Sequence, residues 1–238
     1  MIYPKRNANI ELIIFDLDNT LYDTIEPFEK MVQSCSLTFS DKINTVFKQY
    51  SVFSEIAFQA VQRKEMPLEQ SYSYRFRLLL EHYHVPYNMD TLKHMQSQYR
   101  YFQTHITLSD TMKNIFTLLK QSNKQMAILT NGPTYGQNIK LEALNIEMYI
   151  PKKYWFISEQ LGYAKPDKHV FHTVLNTFDR LPEHTLMIGD SYHHDIAPAL
   201  ALNMQTCWFN KDLHKNKLST YTVTNEQTLF SMIQSIFS

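Results

Sequence analysis

The chain has 238 residues, enough for one large domain or a core with an insert, and 44% hydrophobic with 19% charged content reads as a folded globular protein. Its 23 basic and 23 acidic side chains cancel to a formal net charge of zero, which excludes a global field that gathers nucleic acid or an acidic membrane surface. The two cysteines, Cys35 and Cys207, form no close-spaced pair, so reduced thiols are expected rather than a disulfide framework.

The stretch MIYPKRNANIEL has no apolar h-region, and no later run approaches membrane-spanning length, so a soluble cytoplasmic protein is the expectation. The first apolar run, LIIFDL at 12–17, reads as a buried strand running into Asp16 and Asp18. Aspartate is a poor strand former and costly to bury without partners, so something near that strand end wants negative charge. Residues 22–104 hold no convincing strand but several helical stretches. In PLEQSYSYRFRLLLEHYHV, Pro67 suits a first turn, and Leu68, Tyr72, Phe76, Leu79 and Tyr83 recur at helical spacing. That aromatic stripe is most simply the module's own packing surface; Arg75 within it is a candidate substrate contact.

Beyond the insert, SDTMKNIFTLLKQ opens with Ser109 as an N-cap and places Met112, Ile115, Phe116 and Leu119 on one face. Strands are predicted at 125–130 (QMAILT) and 154–158 (YWFIS). A helix follows in KPDKHVFHTVLNTF, with Pro166 in its first turn and Val170, Phe171, Val174 and Phe178 on one stripe. A fourth strand at 185–189 (TLMIG), a short helix in DIAPALALNM and a fifth strand at 206–209 (TCWF) complete the pattern. Pro198 is tolerable only where that short helix begins just before it, and Asn203 suits its left-handed cap. Strands alternating with helices predict an α/β fold: a doubly wound, parallel, Rossmann-like sheet core (1–21 and 105–238) carrying a helical insert (22–104) after the first strand.

In such a sheet, ligands bind beyond the carboxyl ends of the strands. The polar residues predicted at that rim are Asp16 and Asp18, Thr130 and Asn131, Lys165, then Asp190 and Asp195. Three of the four glycines, Gly132, Gly162 and Gly189, fall at strand ends or turns with Gly136 close behind Gly132, which suggests sharp turns or close backbone approach. Four unpaired acids would raise one another's pKa, and a hard divalent cation such as Mg2+ resolves this. Lys165 and the Thr130 hydroxyl suit the oxygens of a bound phosphoryl group. His193 and His194, between two of the acids, read as solvated loop or helix-start residues, because oxygen ligands suit Mg2+ better than imidazole.

These residues carry a resemblance. DLDNT at 16–20, Thr130 in LTNG, Lys165 in AKPD and GDSYHHD at 189–195 resemble, in order, the four motifs of the haloacid-dehalogenase-like (HAD) hydrolases, and the insert is similar to that family's helical cap. The resemblance implies that Asp16 is a nucleophile forming an aspartyl-phosphate, and that Asp18 protonates the leaving alkoxide and then activates water. It implies Thr130, Asn131 and Lys165 as phosphoryl-side groups. Mg2+ is then held by the Asp16 carboxylate, the Asp18 carbonyl and Asp190, with Asp195 in or beside that shell. Asp18 counts against a dehalogenase, which needs no acid for an alkoxide. A phosphosugar mutase and a non-catalytic phosphate-binding protein stay open. The stretches WFISEQLGYAKPDKHVF and TCWFN look like the branch of pyrimidine 5'-nucleotidases. The expected substrate is therefore a nucleoside monophosphate, with phosphoglycolate or a sugar phosphate as the alternative, and no nucleic-acid polymer or membrane is expected as a partner.

Overall fold

A computed structural model describes residues 9–211, 213–215 and 217–237. In chain order the elements are β1 (Leu12–Phe15), α1 (Ile25–Ser34), α2 (Ile43–Gln62), α3 (Leu68–His82), α4 (Met89–Gln103), α5 (Asp110–Gln121), β2 (Gln125–Thr130), α6 (Thr134–Ala143), β3 (Trp155–Ile157), α7 (Ser158–Leu161), α8 (Lys168–Phe178), β4 (Thr185–Gly189), α9 (Ala197–Ala201), β5 (Gln205–Phe209), β6 (Tyr221–Val223) and α10 (Glu226–Phe237). They form two compact units: one runs to Asp23 and resumes at Thr107, and the other is Thr24–Ile106. No helix among the described residues is long and apolar enough to cross a membrane.

The first unit is an α/β sandwich on a parallel six-stranded sheet, in the order β3-β2-β1-β4-β5-β6. All four β1 residues are fully buried, as a central parallel strand covered on both faces requires. Alternation along the strand sends Leu12 and Ile14 to one face, against Ala127, Leu129, Met187 and the α8 stripe of Val170, Phe171, Val174 and Phe178. The opposite face takes Phe15, whose ring lies 5.1 Å from that of Phe116 on α5. Burying each such side chain contributes about 1.5–3 kcal/mol. The strand order reverses beside β1, which creates a crevice at the carboxyl edge.

Local chemistry sets several boundaries differently from the sequence pattern. β1 ends at Phe15 because the chain turns at Asp16–Tyr22, with a single bridge between Asp18 and Tyr22 and Asn19 at φ 61°. Pro166 lies ahead of α8 rather than in its first turn, since the Asp167 side chain accepts from the His169 N–H and caps the helix at Lys168. Pro67 likewise occupies the N-cap of α3. Gly136 lies inside α6 and makes no turn. β6 went unpredicted because three residues with an exposed centre carry too little apolar pattern. Ser109 caps α5 as expected, Pro198 falls in the first turn of α9, and Asn203 is left-handed at φ 62°.

The second unit is built on α1–α4. Phe28, Met31, Tyr50, Phe76, Leu79 and Tyr99 form its core, with the Tyr50 and Phe76 rings stacked at 5.3 Å. A reciprocal capping box between Asn88 and Thr91 starts α4.

Candidate active site

Phe15 pairs with Ile128 on one side and Ile188 on the other, so Asp16, Thr130 and Asp190 leave three adjacent strands at one edge. Asp16 keeps the ladder through its N–H, which donates to the Ile188 carbonyl at 2.9 Å. Its carboxylate receives Lys165 Nζ on Oδ1 at 2.7 Å and Thr20 Oγ1 on Oδ2 at 3.1 Å. Burial raises the Asp16 carboxyl, Lys165 opposes this, and the charges of Asp195 and Asp18 add to the rise, leaving it at about 6.

Lys165 reaches this point on a loop pinned by Asn131. The Lys165 N–H donates to Asn131 Oδ1 and the Asn131 amide donates to the Lys165 carbonyl, both at 2.8 Å. Both ends of the Asn131 amide therefore hold Lys165 backbone, where the sequence suggested a substrate contact. The Lys165 ammonium gives its three hydrogens to Asp16, Asp195 at 2.6 Å and the Leu129 carbonyl at 2.9 Å. Burial disfavours its charge, but the two carboxylates outweigh that and raise its pKa above the usual lysine value.

Asp195 projects from a wide π-type turn, Tyr192–Ile196, whose preceding Ser191 caps it by accepting from the His194 N–H. Its second oxygen accepts from the Ser191 N–H at 3.0 Å. Gly189 makes room for it, because a Cβ there would stand 2.5 Å from Asp195 Cγ. The Asp190 carboxylate accepts no hydrogen bond from a described residue, and its pKa is pushed well up by burial and by the charges of Asp16 and Asp195. Ligand oxygens of Asp16, Asp190 and Asp195 lie within 4.8 Å of one another. Three carboxylates against one ammonium leave an excess of negative charge, and an all-oxygen set of this kind fits a hard divalent cation. Neither His193 nor His194 belongs to the cluster.

Asp18 is held apart from that cluster by a separate set of donors. Lys140 Nζ reaches both of its oxygens, at 2.7 and 2.5 Å; Gln137 Nε2 donates to Oδ2 at 3.1 Å, and the Tyr22 hydroxyl donates to Oδ1. Burial pushes the Asp18 carboxyl up, but the Lys140 charge and these hydrogen bonds win and hold it below the ordinary value. Gln137 Nε2 also lies 2.6 Å from Thr130 Oγ1 and 2.7 Å from the Asn131 carbonyl, so its two hydrogens are shared among three oxygens. Gly132, at φ 141°, lets the chain pass over Gln137, since a Cβ would meet Gln137 Cδ at 3.0 Å.

Asp16, Asp18, Thr130, Asn131, Lys165, Asp190 and Asp195 thus converge at one sheet edge, linked by these contacts. Arg75 belongs to the other unit. There its guanidinium donates to Gln96 at 3.0 Å and lies 5.3–5.7 Å from the ring centroids of Tyr50, Tyr72, Phe76 and Tyr99. Lys140, Gln137, Thr20 and Tyr22 escaped the sequence reading. A signal for two of them existed: Gln137, Lys140, Leu141 and Leu144 fall at i, i+3, i+4 and i+7, and all four are buried. Extending that apolar stripe backwards points Gln137 and Lys140 inward.

The sequence matches the family model described as haloacid dehalogenase-like hydrolase over residues 13–209. YfnB of Bacillus subtilis, a HAD-hydrolase by name, is 28% identical over 232 residues, spanning 93% of this chain and 94% of the relative. Its structure, solved bound to magnesium, superposes with a TM-score of 0.72 at 26% identity, covering 94% of this chain and 98% of that one. The ribulose-1,5-bisphosphate 5-phosphatase of Halopiger xanaduensis is 28% identical, with 83% of this chain and 84% of the relative covered. The pyrimidine 5'-nucleotidase YjjG of Escherichia coli is 24% identical, with 93% and 96% covered.

Proposed function

Since this chain belongs to the haloacid dehalogenase-like hydrolases and is a phosphatase of that family, we propose that it hydrolyses small phosphomonoesters by way of a phosphoryl group carried on Asp16. The observation that carries the reading is the convergence of Asp16, Lys165, Asp190 and Asp195 at the carboxyl edge, with Asp18 clamped beside them. In the first step an Asp16 oxygen forms a bond to phosphorus as the ester P–O bond breaks. The departing electron pair stays on the alkoxide oxygen, which takes a proton from Asp18; ionised at rest, Asp18 first receives that proton from the bound phosphomonoester monoanion. In the second step a water oxygen attacks phosphorus, Asp18 takes its proton, and the P–O bond to Asp16 breaks. Lys165, turning one hydrogen away from its present acceptors, and the Thr130 hydroxyl would donate to phosphoryl oxygens, and Asn131 fixes the Lys165 loop.

The donor set fits Mg2+, the ion bound in the YfnB structure; the Asp16 and Asp190 carboxylates and the Asp18 carbonyl would hold it, with Asp195 at its edge. Bound there, the ion offsets charge on the phosphoryl oxygens. Magnesium is expected to raise the melting temperature, by about 2.7 kcal/mol of stability at a hundredfold excess over its Kd. The gain is expected to be larger near pH 7.5 than near pH 5.5. Asp16 binds a proton below about 6 and must release it to coordinate, so proton and metal compete in the lower range. Melting curves with magnesium and with a chelator at both pH values check this; an equal shift at the two would remove Asp16 from the ligand set.

Nucleoside monophosphates are the proposed substrates, with the helical unit as the cap that sets the choice. YjjG, similar across nearly the whole chain, is named for pyrimidine nucleotides. A sugar-phosphate reading competes through the Halopiger relative, named for a sugar bisphosphate. Phosphate release from nucleoside monophosphates, sugar phosphates and phosphoglycolate, with and without Mg2+, separates them. Highest kcat/KM on pyrimidine monophosphates supports the first, and preference for a sugar phosphate or phosphoglycolate overturns it.

A further inference from the structure

The inward face of α6 is polar. Gln137 is 2% and Lys140 6% exposed, and they stand three residues apart on the helix. A buried ammonium requires a partner, and the only ion pair of Lys140 among the described residues is with Asp18. Gln137 Nε2 faces an ionised carboxylate and a backbone carbonyl, both acceptor-only, so the amide nitrogen must be the atom placed there. Thr130 Oγ1 is a third oxygen within reach of the same nitrogen, at 2.6 Å, so its two hydrogens are shared among three groups.

We propose that Lys140 and Gln137 are positioning residues of the reaction argued above: together they fix the Asp18 carboxylate from one helix face. The inference rests on Asp18 serving as acid and base. Neither residue exchanges a proton with substrate. Asp18 sits on the turn after β1, and Lys140, Gln137 and Tyr22 approach it from two elements. Without Lys140, Gln137 and Tyr22 remain as donors among the described residues, and a short side chain that has lost the group holding both its oxygens samples other rotamers. Proton delivery then becomes the weak step, while attack by Asp16 does not depend on it.

The leaving group separates these effects. Nitrophenolate departs without a proton, whereas an alkoxide needs one. Lys140→Met is therefore expected to lower the ratio of kcat on an alkyl phosphate, glycerol 2-phosphate, to kcat on p-nitrophenyl phosphate by about tenfold or more. In an Asp18→Asn background, where the acid is already gone, the same substitution is expected to leave that ratio unchanged. Equal losses on both esters, a raised ratio, or a further fall in the Asp18→Asn background each overturn the proposal. Gln137→Leu gives the same readout where Lys140→Met fails to fold. A wild-type protein that releases phosphate from neither ester overturns the phosphatase reading itself, and this inference with it.

Discussion

Asp16→Asn is expected to lower phosphate release by about 10^4-fold or more at saturating substrate, while the protein still folds. An amide oxygen is a poor nucleophile toward phosphorus, so the covalent step has no attacking group. Asn keeps an acceptor for Lys165 and nearly the same shape, so the packing of the edge is preserved. The sign of the stability change follows from the raised carboxyl of Asp16. The folded chain holds that proton more tightly than the unfolded one, so stability contributed by Asp16 is lost as pH rises from the ordinary carboxylate range through about 6. At neutral pH the negative charge is therefore a burden on the metal-free fold. Asp16→Asn removes it and is expected to melt no lower than wild type in chelator. With magnesium present the order reverses, because the wild type gains a ligand charge that the variant lacks. Steady-state assays and melting curves test the two halves independently; retained turnover would displace Asp16 as nucleophile.

The residues that carry charge at the sheet edge were readable because each breaks a local rule. Asp16 and Asp18 follow a strand that should not end in two acids, and Asp190 follows Gly189 at the end of another. Parallel topology then gathers those strand ends, so chain order alone placed them together. Lys165 came from the loop before the KPDKHVF helix, whose position no periodicity fixes, and the motif in AKPD then gave it a role. The reciprocal Asn131 contacts that pin it depend on two backbone atoms 34 residues away in sequence. Lys140 shows the opposite failure. A lysine in a helix is usually solvated, and the apolar stripe of α6 begins only at Leu141, so binary patterning gave its inward position too little weight. Arg75 was singled out only as a guanidinium in the helical insert; in the fold Gln96 and the rings of Tyr50 and Phe76 stand beside that guanidinium within the helical unit.

Lys165→Met is expected to be the most destabilising single change at this edge. The Lys165 side chain is 2% exposed and, among the described residues, is the only cation in contact with both Asp16 and Asp195. Met preserves length and apolar bulk, so the substitution isolates charge from packing. It leaves two buried carboxylates facing each other with Asp190 close by, and removing one partner of a buried ion pair costs about 3–5 kcal/mol. The surface pair Lys113–Asp110, with its lysine side chain 49% exposed, gives the contrast: Lys113→Met is expected to leave stability nearly unchanged. Asp16 can lessen the Lys165→Met deficit only by taking up a proton. Its raised carboxyl rises further without Lys165, so the deficit is expected to grow as pH rises from about 5 to 8. Magnesium, bringing positive charge to the same oxygens, should shrink it, although turnover stays low because a phosphoryl donor is gone. Denaturant titrations of the variant at both ends of that range, with chelator and with magnesium, distinguish the causes. A deficit that ignores both pH and metal would make Lys165 a packing residue and leave the acids balanced by some other group.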